Sequence, residues 1–175
     1  MMNSLKKLIP IALITAIVVL YITGFNRKST PDLKNKNFDY AFTVKDMSGQ
    51  TIPFDSYKGK VVFLNLWATW CGPCRAEMPS IQKLYDKTKS DEVEFVMLSI
   101  DKEGDEEKVK NYINRHKFSF PVVMPSGSLS NQLNVPSIPT TFIINKKGKI
   151  VHQKIGTTNY DTEKYIRMLH DLALE

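Results

Sequence analysis

The sequence contains only two cysteines among its 175 residues, Cys71 and Cys74. A structural zinc site of the common kinds needs four ligands, so this pair alone does not complete one. Arg75 rather than histidine follows Cys74, which excludes the attachment motif for c-type haem. No glycine-rich phosphate loop, nucleophilic serine motif or paired-carboxylate pattern is present. The two sulfurs are therefore the first candidates for chemistry in this chain.

Most of the chain also carries little net charge. The formal net charge is +6 at pH 7, but residues 1–36 hold six basic residues against a single acid, which leaves +1 for the rest. A nearly neutral domain gives no support for nucleic-acid binding. The hydrophobic content of 42% and charged content of 24% are typical of a globular domain. The length suits one such domain plus an appendage.

Charge is absent altogether from residues 8–25, which are almost continuously apolar. As a helix this run would span about 27 Å, close to the thickness of the bilayer's hydrocarbon core. A cleaved signal peptide is the alternative, but the run is long for one and lacks a clean small-x-small cleavage site. We predict an uncleaved membrane anchor at residues 1–25. Basic residues flank both ends, so they do not decide its orientation.

Residues 26–37 are polar and basic and predict a flexible linker. From there to the C-terminus, apolar periodicity and turn residues predict a single domain over residues 38–175 that alternates strands and helices. The predicted elements are a hairpin at 39–53, strands at 61–66, 93–100, 120–123, 140–144 and 150–155, and helices at 72–89, 105–117, 128–133 and 161–174.

The two cysteines fall where a buried strand gives way to a helix. Backbone N–H groups at a helix N-terminus are unpaired and the helix dipole is positive there, so a thiolate at Cys71 is favoured. Cys74 lies one turn further on the same side. We predict that Cys71 attacks a partner disulfide and Cys74 resolves the mixed disulfide. A buried structural disulfide is the alternative, but Gly72 and Pro73 at a helix start favour reactivity.

Two separated motifs resemble the thioredoxin superfamily. The first resembles its active-site motif and the second its cis-proline loop: Trp67-Ala68-Thr69-Trp70-Cys71-Gly72-Pro73-Cys74 and Ser137-Ile138-Pro139-Thr140. The resemblance runs from about Phe38 to the C-terminus. It implies a three-layer α/β fold with helices on both sides of the sheet, an N-terminal hairpin, and the insertion of the membrane-tethered, cytochrome-c-maturation-like subgroup. It also implies a cis Ile138–Pro139 bond that positions the partner.

Three further residues are candidates for the site. Asn65 stands where family members often carry a proton-transferring aspartate; its alternative role is to hydrogen-bond buried backbone. Glu77, one turn beyond Cys74, could transfer protons or tune the cysteine pKa values, or it could be a solvated helix residue. Trp70 is expected to cover the cysteines and help position the partner, and Trp67 to pack in the core.

These features predict a membrane-tethered thiol–disulfide oxidoreductase that acts on extracytoplasmic proteins, where disulfides form. The Gly-Pro pair between the cysteines resembles reducing members of the family, so we expect a reductant fed by a membrane electron donor, for example in cytochrome c maturation. We expect a monomer, single-pass in the cell membrane, with no cofactor beyond its redox-active disulfide and no metal. The alternatives are a disulfide oxidant or isomerase, a copper-binding module that adds a distant histidine to the cysteines, and a peroxidase.

Overall fold

The computed structural model describes residues 33–175, so the predicted anchor lies outside the described residues. Within residues 33–175, no helix combines the length and the apolarity needed to cross a bilayer. The end of the predicted linker lies against the last hairpin of the domain. The amide of Asn35 donates to the carbonyl of Ile150 at 2.7 Å, and the amide of Phe38 donates to that of Gly148 at 2.8 Å.

The described residues form seven strands, three α-helices and two 3-10 helices. The strands are β1 Thr43–Asp46, β2 Thr51–Pro53, β3 Val61–Trp67, β4 Val93–Ser99, β5 Val122–Pro125, β6 Thr140–Ile144 and β7 Ile150–Ile155. The α-helices are α1 Gly72–Thr88, α2 Glu106–His116 and α3 Glu163–Leu174, and the 3-10 helices are Phe54–Tyr57 and Asn131–Leu133. The predicted hairpin and the predicted order of strands and helices are confirmed, with the helix at 128–133 reduced to a 3-10 turn.

The seven strands make one mixed sheet in the order β2-β1-β5-β4-β3-β6-β7. β3, β4 and β5 run parallel, while β1, β6 and β7 pair antiparallel with their neighbours. All seven residues of β3 are buried, as expected for a central strand that is covered on both faces. Because β3 ends at Trp67, the segment that carries the cysteines leaves the sheet from an interior strand, between β4 and β6.

The two faces of the sheet are covered differently. One core contains buried side chains from all three α-helices, including Met78, Val109 and Leu169. Helix α1 connects β3 to β4, and α2 connects β4 to β5. Both connections join parallel strands and move in the same direction across the sheet. Because such connections are right-handed, α1 and α2 lie on the same face. The other core is closed by the 3-10 helices and the segment before β1, where Phe42 and Phe54 stack at 4.3 Å.

The expectation of helices on both faces therefore needs correction. On the second face the helical elements are only three and four residues long. The chain next to them contributes aromatic side chains instead, and each fully buried side chain of this kind is worth about 1.5–3 kcal/mol of hydrophobic free energy. The three-layer arrangement is thus an α-helical layer, a sheet, and a layer of short turns and extended chain.

Candidate active site

Cys71 and Cys74 are joined by a disulfide bond at the start of α1. Cys71 is the N-cap residue, with an extended backbone (φ −83°, ψ 105°), and its Sγ accepts a hydrogen bond from the amide of Cys74 at 3.1 Å. A thiolate at this sulfur would receive the same amide and the positive end of the helix dipole. Cys71 is 5% exposed and Cys74 is fully buried, so Cys71 is the sulfur nearer to solvent.

The loop before β6 lies against this disulfide. The Ile138–Pro139 peptide bond is cis, which confirms the prediction. The carbonyl oxygen of Ile138 is 3.9 Å from Sγ of Cys71. The hydroxyl of Thr140 donates to the carbonyl of Ser137 at 2.7 Å and closes the loop. The structure therefore brings together two motifs that are about 65 residues apart, as expected for neighbouring strands β3 and β6.

The two tryptophans of the motif have opposite environments. Trp67 is fully buried in the core, as predicted, and packs against Tyr112 of α2 with ring centroids 5.7 Å apart. Trp70 is 62% exposed, so most of its indole faces solvent directly beside Cys71. A large exposed aromatic side chain at this position is available to a partner protein.

Glu77 lies in a buried polar cluster with Asn65, Thr141 and Tyr160. The amide nitrogen Nδ2 of Asn65 donates to Oε1 of Glu77 at 2.9 Å and to Oγ1 of Thr141 at 2.8 Å. The hydroxyl of Tyr160 also donates to Oγ1 of Thr141, at 2.6 Å, and the amide of Thr158 donates to Oε2 of Glu77 at 3.2 Å. We call these four side chains the Glu77 cluster.

This cluster argues against two of the alternatives given above. Asn65 binds side chains rather than buried backbone, because its neighbour on β6 is Thr141, directly across the strand pair. Glu77 is 2% exposed, so it is not a solvated helix residue. Burial raises the pKa of Glu77 to about 7, although hydrogen bonds from Asn65 and Thr158 and the charge of Lys154 oppose the rise. A carboxyl with this pKa can exchange protons near neutral pH.

A second buried carboxylate, Asp101, was missed by the sequence analysis. It follows β4, and its side chain is fully buried. Oδ2 accepts from the amide of Thr69 and the hydroxyl of Ser99, both at 2.8 Å. Oδ1 accepts from the hydroxyl of Thr69 at 2.5 Å and from Nζ of Lys108 at 3.3 Å. We call this arrangement the Asp101 clamp, because it fixes the residue two positions before Cys71.

The Asp101 clamp keeps its carboxylate charged. Burial by itself pushes the pKa of Asp101 upward, but the hydrogen bonds from Thr69, Ser99 and Lys108 outweigh it and hold the pKa below the ordinary value. The signal that could have found this residue is its place after β4. The carboxyl ends of β3 and β4 meet at one edge of the sheet, where polar residues commonly serve a site.

Fold and site together define a thioredoxin-like protein with a dithiol–disulfide pair at a helix N-terminus. Comparisons with known proteins agree. A model of the AhpC/TSA family matches residues 36–153. Thiol-disulfide oxidoreductase ResA of Bacillus anthracis is 40% identical over 130 residues, which cover 73% of this chain and 74% of that protein. Sporulation thiol-disulfide oxidoreductase A of Bacillus subtilis is 32% identical over 148 residues, covering 82% of this chain and 89% of that one.

The solved structures include the same architecture. The crystal structure of StoA from Bacillus subtilis superposes with a TM-score of 0.59 at 32% identity, over 75% of this chain and 94% of that chain. The chain therefore belongs to the AhpC/TSA family within the thioredoxin superfamily, and it is a thiol–disulfide oxidoreductase.

Proposed function

We propose that this protein reduces disulfides of extracytoplasmic proteins from a membrane tether. The observation that carries the exchange chemistry is the disulfide at the start of α1, with Sγ of Cys71 beside the carbonyl of Ile138 and the exposed Trp70. The cis-proline loop offers the backbone of Ile138 to an extended segment of the partner, and Trp70 offers it a ring. The relatives named above support the same chemistry.

The reaction starts from the reduced protein. The thiolate of Cys71 attacks one sulfur of the partner's disulfide, forms a mixed disulfide and releases the partner's other sulfur as a thiolate, which takes up a proton. Cys74 then loses its proton and attacks Sγ of Cys71. This step forms the Cys71–Cys74 disulfide and releases the partner's second thiolate. Two electrons pass from the dithiol to the partner.

Glu77 is the group that we assign to the proton of Cys74. It lies one helical turn beyond Cys74, it is buried on the same helix, and its pKa of about 7 lets it accept a proton at neutral pH. Asn65 is the group that orients the carboxyl, through its hydrogen bond to Oε1.

The proposals of a membrane tether and of an extracytoplasmic location rest on the sequence. Residues 8–25 are long and apolar enough to span a bilayer, and exchange on exported proteins requires the domain to face the side where disulfides form. A membrane electron donor would return electrons to the Cys71–Cys74 disulfide after each turnover. Apocytochromes, whose cysteines must stay reduced, are a partner class that the family resemblance supports.

The direction of exchange is tested by the reduction potential of the Cys71–Cys74 pair, measured by equilibration with glutathione buffers. A reductant should lie nearer to the thioredoxin value of about −270 mV than to the strongly oxidising value of about −120 mV. A value near −120 mV would replace the reductant by the oxidant alternative. Peroxide consumption and Cu(I) titration of the reduced domain test the peroxidase and copper-binding alternatives.

The division of roles is tested by trapping. Cys74→Ser should hold the partner as a mixed disulfide on Cys71, because the resolving sulfur is missing. Cys71→Ser should trap nothing and should lose exchange by several orders of magnitude, as assayed with a disulfide-bonded protein. Trapping by Cys71→Ser instead would reverse the two roles, and trapping by neither variant would count against the mechanism.

A further inference from the structure

A groove beside the active-site segment is not used by the mechanism above. It encloses about 430 Å³ and is lined by Thr69 and by four residues of α2, namely Lys108, Asn111, Tyr112 and Arg115. We call it the α2 groove. The four helix residues follow the spacing i, i+3, i+4 and i+7, so they share one face of α2. Thr69 connects this face to the nucleophile, since it precedes Cys71 by two residues.

The walls of the α2 groove are basic and partly aromatic. Lys108 is engaged by Asp101 at 3.3 Å and by Asp105 at 3.5 Å, so part of its charge is neutralised. Arg115 is exposed and has no acidic side chain within 4.0 Å among residues 33–175. Its charge is therefore available to a ligand.

A second available cation lies next to the groove. Arg75, in the first turn of α1, is exposed, and its positive charge opposes the rise that burial causes in the pKa of Tyr112. The acidic Glu107 of α2 is not one of the groove residues and pairs with Lys110 at 3.9 Å. Among residues 33–175, no acidic side chain lines the α2 groove, and the two carboxylates next to it, Asp101 and Asp105, both pair with Lys108. Charge complementarity thus favours an acidic occupant over a basic one.

We propose that the α2 groove binds an acidic segment of the partner protein, close in sequence to the cysteine that Cys71 attacks. This inference deepens the proposed function and rests on it. An extended chain advances about 3.3 Å per residue, so an acidic residue a few positions from the partner's cysteine reaches from Cys71 past Thr69 to α2. Its carboxylate pairs with the guanidinium of Arg115, which suits bidentate binding, and its aliphatic carbons lie on Tyr112.

The test compares two disulfide-linked peptides that differ only at two positions a few residues from the cysteine. One peptide carries glutamates at these positions and the other carries glutamines. We expect the reduced wild-type protein to reduce the acidic peptide about three- to tenfold faster at low ionic strength, with the difference shrinking in 0.5 M salt, about the size expected for partly screened charges. Arg115→Glu should abolish the preference, and Arg115→Gln should give an intermediate ratio. Rates with hydroxyethyl disulfide normalise each protein for intrinsic reactivity.

Lys110→Glu is the matched control. It makes the same change of charge on the same helix, but Lys110 lies on the opposite face from the groove residues and pairs with Glu107. This variant should keep the wild-type preference. Equal rates for the two peptides with the wild-type protein would overturn the proposal. An equal loss in Lys110→Glu and Arg115→Glu would also overturn it, because the preference would then reflect net charge.

A binding experiment separates this inference from the proposed function. The acidic peptide with serine in place of its cysteine is titrated into the oxidised protein, and backbone amide shifts are followed by NMR. Shifts concentrated at Asn111, Tyr112 and Thr69, and lost in Arg115→Glu, support the groove even if no disulfide is reduced. Shifts absent from α2 overturn the groove even if exchange proceeds. Failure to reduce hydroxyethyl disulfide would instead overturn the proposed function.

Discussion

Asp101 and Glu77 are both buried carboxyls next to the segment that carries the disulfide, but their pKa values move in opposite directions. Asp101 accepts four hydrogen bonds, two of them from Thr69, and its pKa is lowered. Glu77 accepts two, from Asn65 and the amide of Thr158, and its pKa rises to about 7. Burial pushes both pKa values upward. At Asp101 the four hydrogen bonds outweigh this effect, whereas at Glu77 burial outweighs the two hydrogen bonds and the charge of Lys154.

This difference separates a structural role from a chemical one. A permanently charged Asp101 gives Thr69 a fixed acceptor at every pH above the acid range, so it holds the chain just before Cys71. A carboxyl that titrates near neutrality, as Glu77 does, is poorly suited to hold anything permanently, but it is suited to proton transfer. Variants that change the donors or the charge of either group therefore test the distinction.

The largest effect is expected for Asp101→Asn. Each oxygen of Asp101 accepts two hydrogen bonds, so an amide nitrogen in place of either one leaves two donors without an acceptor. We expect a loss of about 2–4 kcal/mol in the free energy of unfolding at pH 7, measured by urea denaturation of the oxidised protein.

The pH dependence of that loss has a definite sign. Because the pKa of folded Asp101 is depressed, its contribution is present above the ordinary value of 3.8 and fades as the pH falls through the folded value. The unfolding free energies of wild type and variant should therefore converge in strong acid. Asp105→Asn is the control, since Asp105 also pairs with Lys108 but is partly exposed, and it should cost less than about 1 kcal/mol. A constant difference at all pH values would contradict the charged clamp.

A comparable effect with the opposite pH dependence is expected for Glu77. Its folded pKa of about 7 lies above the ordinary 4.5, so the folded state binds this proton more tightly than the unfolded chain does. The resulting stabilisation is complete below about pH 4.5 and is lost as the pH rises through 7, by about 3 kcal/mol at most. In Glu77→Gln this loss should disappear from unfolding curves recorded between pH 4.5 and 8.

The same variant tests the proton transfer that we assign to Glu77. The rate of exchange by wild type should change with an apparent pKa near 7, and this inflection should vanish in Glu77→Gln. Glu107→Gln, an exposed residue of α2, serves as the control and should leave both profiles unchanged. An inflection near 7 that survives in Glu77→Gln would assign that titration to another group.

Much of the site could be predicted because its signals are local. The change from a buried strand to a helix at Cys71, and the Ile138–Pro139 step before β6, can both be found in short stretches of sequence. Glu77 also has a local signal, since it shares the spacing of the buried Cys74, Met78 and Ile81 on α1. A glutamate on a buried helical face is uncommon, so this spacing alone does not establish that Glu77 is buried.

The parts that were missed depend on contacts between distant elements. Asp101 acquires its role only because β4 lies parallel to β3 and ends at the same edge. Nothing within residues 99–105 indicates which loop this carboxylate would hold. Likewise, the second sheet face is covered by side chains such as Phe42 and Phe54 and not by the expected helices. These side chains come from separate segments without helical periodicity, so their packing against each other has no local signal.

The smallest of these effects is expected for Asn65→Asp, which tests directly whether the hydrogen bond from Asn65 lowers the pKa of Glu77. The change replaces the nitrogen that lies 2.9 Å from Oε1 of Glu77 with a carboxylate oxygen. Two carboxyls at this distance share one proton and titrate as a pair, so the higher of the two apparent pKa values should rise above that of Glu77 in the wild type. A rise of one unit corresponds to about 1.4 kcal/mol of additional stability lost between pH 5 and pH 8.

The double variant Asn65→Asp with Glu77→Gln should reverse this extra loss. It exchanges donor and acceptor across the same contact, because the amide nitrogen of the new glutamine donates to the new aspartate, while its oxygen still accepts from the amide of Thr158. Unfolding free energies at pH 5 and pH 8 for the single and double variants measure the effect. If the unfolding free energy of Asn65→Asp changes between pH 5 and pH 8 as that of wild type does, then burial, and not the hydrogen bond from Asn65, sets the charge of Glu77.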